Sequence, residues 1–232
     1  ACTDPLFFFS NATCEAQASE QNVANFLWNG ATAAVTNLKF HVERGSLFSV
    51  TQASTSKPSA NFWLATDVTT VTDPDVSIID STFRASTWGT NVFLNSAALS
   101  TLKFVAVSSN FSVVCTSTSD FEKHNVRVAG SIQNGGNVTI VDSNMDITTE
   151  KTTGVNVNLR GQKDSTPAAL DWDGVSVNVA RSNITCSGKT CRSLVFTTTR
   201  FKNSELLVDQ ATMVGESTQG SPTNIHFGAS PI

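Results

Sequence analysis

Val138-Thr139-Ile140-Val141-Asp142-Ser143-Asn144-Met145-Asp146-Ile147 carries the pattern on which most of the chain is built. Apolar side chains stand five and three residues before Ser143, at Val138 and Ile140, and two and four after it, at Met145 and Ile147. Period-two spacing on each flank reads as two short strands, each with one buried face. The step from Ile140 to Met145 is odd, so one flat strand would send its two halves to opposite faces. Both halves stay inward only if the backbone turns a corner at the serine.

The same phrase recurs around Ser46, Ser81, Ser109, Ser182 and Ser204. Two residues past each serine stand Phe48, Phe83, Phe111, Met145, Ile184 and Leu206, which are expected to pile in single file. A second phrase, Asn-apolar-x-apolar, alternates with the first. It begins at Asn37, Asn61, Asn91, Asn125, Asn156 and Asn224, and Ser193-Leu194-Val195-Phe196 is the same phrase led by serine. One strand plus one strand-corner-strand makes three strands in roughly 30 residues, a solenoid period with no room for a helix. The expected fold is therefore all-β: a three-sheet parallel β-helix of about six to seven coils.

The units Val76-Ser77-Ile78-Ile79-Asp80-Ser81-Thr82-Phe83 and Val138-Thr139-Ile140-Val141-Asp142-Ser143-Asn144-Met145 resemble the pectin-lyase-like right-handed β-helix proteins. The same phrases look like the ectodomain repeats of large protozoan surface proteins of the dispersed gene family type. The resemblance runs over residues 37–227 and implies a right-handed parallel β-helix. It implies little about function, because that architecture hosts polysaccharide lyases, hydrolases, adhesins and passive surface coats.

Residues 14 to about 28 read as a helix, with Thr13 as N-cap, Glu15 in the first turn and Gly30 just past the end. Val23, Phe26 and Leu27 would form its apolar stripe and plug the open first coil. The chain then divides into a capping segment, 1–36, and a β-helix domain, 37–232. No comparable plug is visible at the other end. The last coil is covered by a loop, continued by further repeats or stacked on another protomer.

Charged residues are 15% of the 232, the net charge is −4, and no basic run occurs, which argues against nucleic acid or an anionic membrane as partner. Ser, Thr and Asn number 28, 30 and 19, a composition suited to a secreted or cell-surface β protein. No apolar run approaches the length of a membrane span. Of five cysteines, Cys186 is expected to pair with Cys191 and Cys2 with Cys14, leaving Cys115 as a buried thiol. Sequons for N-glycosylation stand at Asn11, Asn110, Asn137 and Asn183. The larger insertions, 51–60, 66–75, 114–124, 160–174 and 209–223, are the expected recognition loops.

An enzyme of this fold would work on the outer face of one sheet. The asparagine phrase places Lys39, Trp63, Phe93, Arg127, Asn158, Val195 and His226 there. That column holds no carboxylate, and Arg127 and His226 would stand roughly 14 Å apart. Paired-acid hydrolysis and calcium-assisted elimination are both disfavoured. Trp63 and Phe93 form either a strip for a sugar or protein partner, or a satellite core beneath a loop. Asp171-Trp172-Asp173-Gly174 reads first as a turn. Its carboxylates flanking an aromatic could otherwise hold a cation or a sugar ring. No metal pattern or cofactor fingerprint occurs. The expectation is a non-catalytic surface or secreted protein acting in adhesion, coat formation or assembly, with protein or glycan partners and possible end-to-end homo-oligomers. The alternative is a carbohydrate-active enzyme or carbohydrate-binding module.

Overall fold

The computed structural model describes residues 2–28, 34–53, 57–64, 70–87, 89–116, 122–160, 172–197 and 201–228. They form strands and connecting turns, and no helix occurs among them. Accordingly, none of them belongs to a helix long and apolar enough to cross a membrane. Every strand pairing is parallel, and each joins a strand to its counterpart one repeat later. Seven strands make one sheet: Thr13–Ala18, Leu47–Gln52, Thr82–Ser86, Asn110–Cys115, Asn144–Thr149, Asn183–Gly188 and Thr212–Ser217. A larger, 15-stranded sheet contains the strands before and after these in each repeat. Two 19-residue strands, Gly89–Val107 and Lys123–Val141, bend through register shifts and join the two series.

Alternation packs the core into files. Cys14, Phe48, Phe83, Phe111, Met145, Ile184 and Met213 share one register across the seven-stranded sheet. Five of the six side chains expected in that file are there; Leu206 is not. It lies in the file of Phe7, Phe40, Val76, Phe104, Val138 and Val177. Ser204 marks a different corner, where its hydroxyl accepts from Val175 N at 3.1 Å. The last repeat turns at Ala211 instead, and Thr212–Ser217 is a strand within the segment 209–223 read as an insertion.

The corner chemistry explains the serines. The residue before each corner has a left-handed φ: Asn11, Gly45, Asp80, Ser108, Asp142, Arg181 and Gln210, at 46–73°. Asn, Asp and Gly tolerate that region best. Ser81, Ser109, Ser143 and Ser182 donate their hydroxyls to the carbonyl two residues back. The serine oxygens also accept from the corner amide of the repeat before, as in Ser109 N to Ser143 Oγ at 3.2 Å. One side chain thus satisfies two backbone groups that the turn takes out of the ladder.

Asparagines line a second corner. Asn25, Asn61, Asn91 and Asn125 each donate Nδ2 to the Oδ1 of the next, ending on Asn156, with every contact 2.7 Å. Nδ2 of each asparagine also reaches a carbonyl: Ser49, Arg84, Ser112, Asp146 and Thr185 in turn. Asn37 is not part of this ladder. It sits at a turn with φ 54° and bonds Asp4.

Asn25 is a member because the expected helix at 14–28 does not form. Thr13–Ala18 and Val23–Trp28 are strands, so residues 2–28 are the first repeat of the same sheets, not a separate cap. Cys14, Ala16 and Ala18 alternate inward at period two, and pairing with Leu47–Gln52 overrides the helical propensity of Ala, Glu and Gln. The same geometry separates Cys2 from Cys14, and both are free thiols. The extended strand Leu6–Ser10 lies between them, spanning roughly 17 Å, beyond disulfide reach. Cys186 and Cys191 do form a disulfide, and Cys115 is buried and free.

Candidate functional site

The strands Val23–Trp28, Ser59–Leu64, Thr153–Arg160, Thr190–Thr197 and Thr223–Gly228, with the amino-terminal parts of Gly89–Val107 and Lys123–Val141, turn the asparagine ladder's flanking valines, leucines and phenylalanines inward. The intervening positions form the outer face. One file there runs Leu27, Trp63, Phe93, Arg127, Asn158, Val195, His226. Six of the seven residues expected in this column stand in it. Lys39 instead aligns with Leu6 and Asp75 on another strand series. The adjacent file runs Ala24, Ala60, Thr90, His124, Val155, Arg192, Thr223.

Trp63 stacks on Phe93 with ring centroids 5.9 Å apart and planes 25° from parallel. The Arg127 guanidinium carbon lies 5.0 Å from the Phe93 ring centroid, a cation–π contact. Ala60 and Ala129 complete a satellite apolar cluster, and Phe93 is only 9% exposed. The strip is therefore a packed cluster, not an open platform. Trp63 Nε1 and Asn158 Oδ1 are withdrawn from solvent and lack a hydrogen-bond partner among the described residues.

The sequence-based column held no carboxylate, yet Glu122 reaches this face. Asn158 Nδ2 lies 2.9 Å from His124 Nε2 and donates to Glu122 Oε2 at 3.3 Å. Glu122 Oε2 stands 3.4 Å from His124 Nε2, and Arg192 Nη1 is 3.9 Å from Glu122 Oε1. The hydrogen bond with His124 is the main cause that lowers the Glu122 carboxyl from its ordinary 4.5 to about 2. Burial opposes the shift, while His124, Arg127 and Arg160 add to it by charge. Glu122 and His124 stand two residues apart and share a face of an extended chain, but the step from His124 to Arg127 is odd, so period-two spacing alone sets the pair on the face opposite Arg127 and Asn158. Its signal is the coincidence of three polar residues, Glu122-Lys123-His124, at the entry to an asparagine phrase.

The sign of the resulting pH dependence is fixed. A carboxyl with a depressed folded-state value contributes stability above its ordinary value, and that contribution is lost as pH falls through 4.5 towards about 2. Glu122→Gln removes this dependence. After allowance for a partly exposed side chain, the parent should lose ~1 kcal/mol more than the variant between pH 5 and pH 2. Thermal unfolding across that window reads the difference directly, and identical slopes would refute the pairing.

Asp171-Trp172-Asp173 does not form an aromatic platform. Trp172 is fully buried and packs on Phe201 with centroids 5.6 Å apart, so its ring is unavailable for stacking from outside. Asp173 accepts from Asn203 Nδ2 at 2.9 Å, and Asp171 lies outside the described residues. All four sequon asparagines, Asn11, Asn110, Asn137 and Asn183, are exposed. Asn183 Nδ2 donates to Asn144 Oδ1 at 3.0 Å, whereas Asn110 accepts from Asn144 at 2.9 Å. Asn110 therefore keeps its own amide nitrogen out of that outer ladder. Comparison of the chain with family models, with curated proteins and with solved structures found no match in any of the three.

Proposed function

We propose that the chain is a right-handed parallel β-helix of seven coils, secreted or displayed at a cell surface, where it acts without catalysis in adhesion, coat formation or assembly. The observation that carries this reading is the Cys186–Cys191 disulfide together with four exposed sequon asparagines, Asn11, Asn110, Asn137 and Asn183. Both suit an oxidising, glycosylating route to the surface.

Membrane-impermeant biotinylation of intact producing cells should label the protein. A wholly intracellular pool would overturn the surface reading. Release of sugar ends from acidic polysaccharides at any pH would overturn the non-catalytic one. A second reading, as a carbohydrate-binding module or carbohydrate-active enzyme, is favoured by one observation: Trp63, Phe93, Glu122, His124 and Asn158 share a face. Glycan binding abolished by Trp63→Ala and weakened by Glu122→Gln would establish that reading in its place.

A further inference from the structure

We propose that Asn134 modifies itself: the backbone nitrogen of Gly135 closes on the Asn134 carboxamide carbon, the Ser100 hydroxyl assists the departure of ammonia, and the resulting imide opens to aspartate or isoaspartate. The inference goes beyond the surface reading and does not depend on it. It concerns a turn in the middle of the chain, where three observations carry it.

The first is the backbone. Between Gly89–Val107 and Lys123–Val141 the pairing runs Ser100 with Gln133 and then Leu102 with Gly136, so Asn134 and Gly135 stand against the single residue Thr101. A bulge of this kind leaves its extra residue outside the ladder. Asn134 and Gly135 have φ of 57° and 88°, the left-handed pair that Asn-Gly adopts most readily. Asn134 is exposed, so water and hydroxide reach it. A side chain at 135 would crowd the attacking nitrogen, and glycine has none.

The second is the leaving nitrogen. Asn134 Nδ2 lies 3.0 Å from Ser100 Oγ, within reach for proton transfer. In the planar carboxamide Nδ2 donates to that oxygen. Once Gly135 N has added to Cγ, Nδ2 is a tetrahedral amine with a lone pair, and the same hydroxyl can turn its proton towards it.

The third is contrast. Four asparagines among the described residues hold a left-handed φ: Asn11, Asn37, Asn134 and Asn203. Only Asn134 is followed by glycine; the others precede Ala12, Leu38 and Ser204. Asn37 and Asn203 direct Nδ2 at the carboxylates of Asp4 and Asp173, which have no proton to give. The chain's other Asn-Gly pair, Asn29-Gly30, lies outside the described residues.

The step consumes only water. Gly135 N loses its proton to hydroxide and bonds to Cγ; the Cγ–Nδ2 bond breaks, and Nδ2 leaves as ammonia with a proton from Ser100, which recovers one from solvent. Water then breaks the new N–Cγ bond to give aspartate, or the original peptide bond to give isoaspartate. Either product adds a negative charge, and the main chain of isoaspartate is longer by a carbon. Gly136 N donates to Gly174 O at 3.2 Å, and a Cβ at Gly174 would stand 3.2 Å from Gly135 Cα, so neighbouring repeats touch at this turn. Isoaspartate therefore pushes the turn away from Gly174 and releases that bond. On a chain that persists at a surface, the modified fraction rises with age.

Folded protein aged in neutral buffer should gain OH in place of NH2 at Asn134 ahead of Asn11, Asn37 and Asn203. Peptide mass spectrometry reads the exchange, and an isoaspartyl methyltransferase serves as probe for the longer form. Ser100→Ala should slow the change roughly tenfold, less than the ~10²-fold of a preorganised proton donor. Ser100→Thr keeps the hydroxyl and should keep the rate. In denaturant the dependence on Ser100 should vanish, because the contact joins residues 34 apart in sequence.

Modification at Asn134 no faster than at the other three asparagines overturns the proposal. A folded parent that stays unmodified while the denatured chain reacts shows the turn protecting Asn134, and overturns it as well. Equal rates in the parent and Ser100→Ala, or a Ser100→Thr as slow as Ser100→Ala, overturn the role given to the hydroxyl.

Discussion

Replacing Asn91 with alanine is expected to lower the unfolding free energy by about 3–5 kcal/mol, a large part of the ~5–15 kcal/mol that holds a typical domain together. Asn91 is fully buried at the centre of the asparagine ladder. Its Nδ2 donates to Ser112 O at 3.0 Å and Asn125 Oδ1 at 2.7 Å, and its Oδ1 accepts from Asn61 Nδ2 at 2.7 Å. Truncation leaves the Ser112 carbonyl and the Asn125 oxygen without those donors, in an interior that water does not reach. Each such group costs ~1–3 kcal/mol. Asn61 Nδ2 keeps its bond to Arg84 O, which limits the damage on that side.

Asn25→Ala supplies the control. Asn25 is half-buried in the first repeat and serves only Asn61 and Ser49, so about 1 kcal/mol is expected. Chemical denaturation of the two variants decides the matter: equal losses would mean that the ladder contributes nothing beyond single solvated bonds. Asn91→Asp tests the same point more severely, since it keeps the shape but sets a buried carboxylate against the Ser112 and Asn125 oxygens, and its loss should be at least that of Asn91→Ala.

The repeats in the middle of the chain were legible because three independent signals coincide there. Period-two alternation, a corner serine and a ladder asparagine all occur between residues 76 and 186, and the described strands of that stretch pair in parallel, with register shifts between Gly89–Val107 and Lys123–Val141. At both ends two of those signals fade. Ala12 and Ala211 replace the corner serine. Without serine, Thr13-Cys14-Glu15-Ala16-Gln17-Ala18 carries residues of high helical propensity, and its alternation of small side chains is weak. Asn37 and Ser204 then mislead, because left-handed turns and hydroxyl-capped turns favour the same residue types as the ladders do.

The outer face was legible for a related reason. Trp63, Phe93, Arg127 and Asn158 follow from the pleat alone, since each stands between two inward residues of an asparagine phrase. What the pleat cannot give is exposure. Phe93 and Trp172 look equally available in sequence, and both are buried, Trp172 inside the core itself. Nor can it give the meeting of Glu122 and His124 with Asn158, which depends on the turn the chain makes at Asn125 rather than on the period.

Phe83→Ala is expected to cost about 3–5 kcal/mol, and the way that loss is distributed tests the architecture more sharply than its size. Phe83 is fully buried, stacked on Phe48 with centroids 4.9 Å apart and 5° between planes, and packed on Phe111 at 5.6 Å. It touches the file on both sides, so truncation weakens the contact with the repeat before and the repeat after. Met213 occupies the same file at the last repeat, where it is half-buried with one neighbour, and Met213→Ala should cost about 1 kcal/mol. If the repeats form the proposed β-helix, each one is stabilised mainly by its immediate neighbours. Hydrogen exchange in Phe83→Ala should then accelerate first in Leu47–Gln52, Thr82–Ser86 and Asn110–Cys115, with Asn183–Gly188 still protected. A uniform loss of protection across all seven strands would instead describe one globally cooperative core, in which no repeat is stabilised separately from the rest.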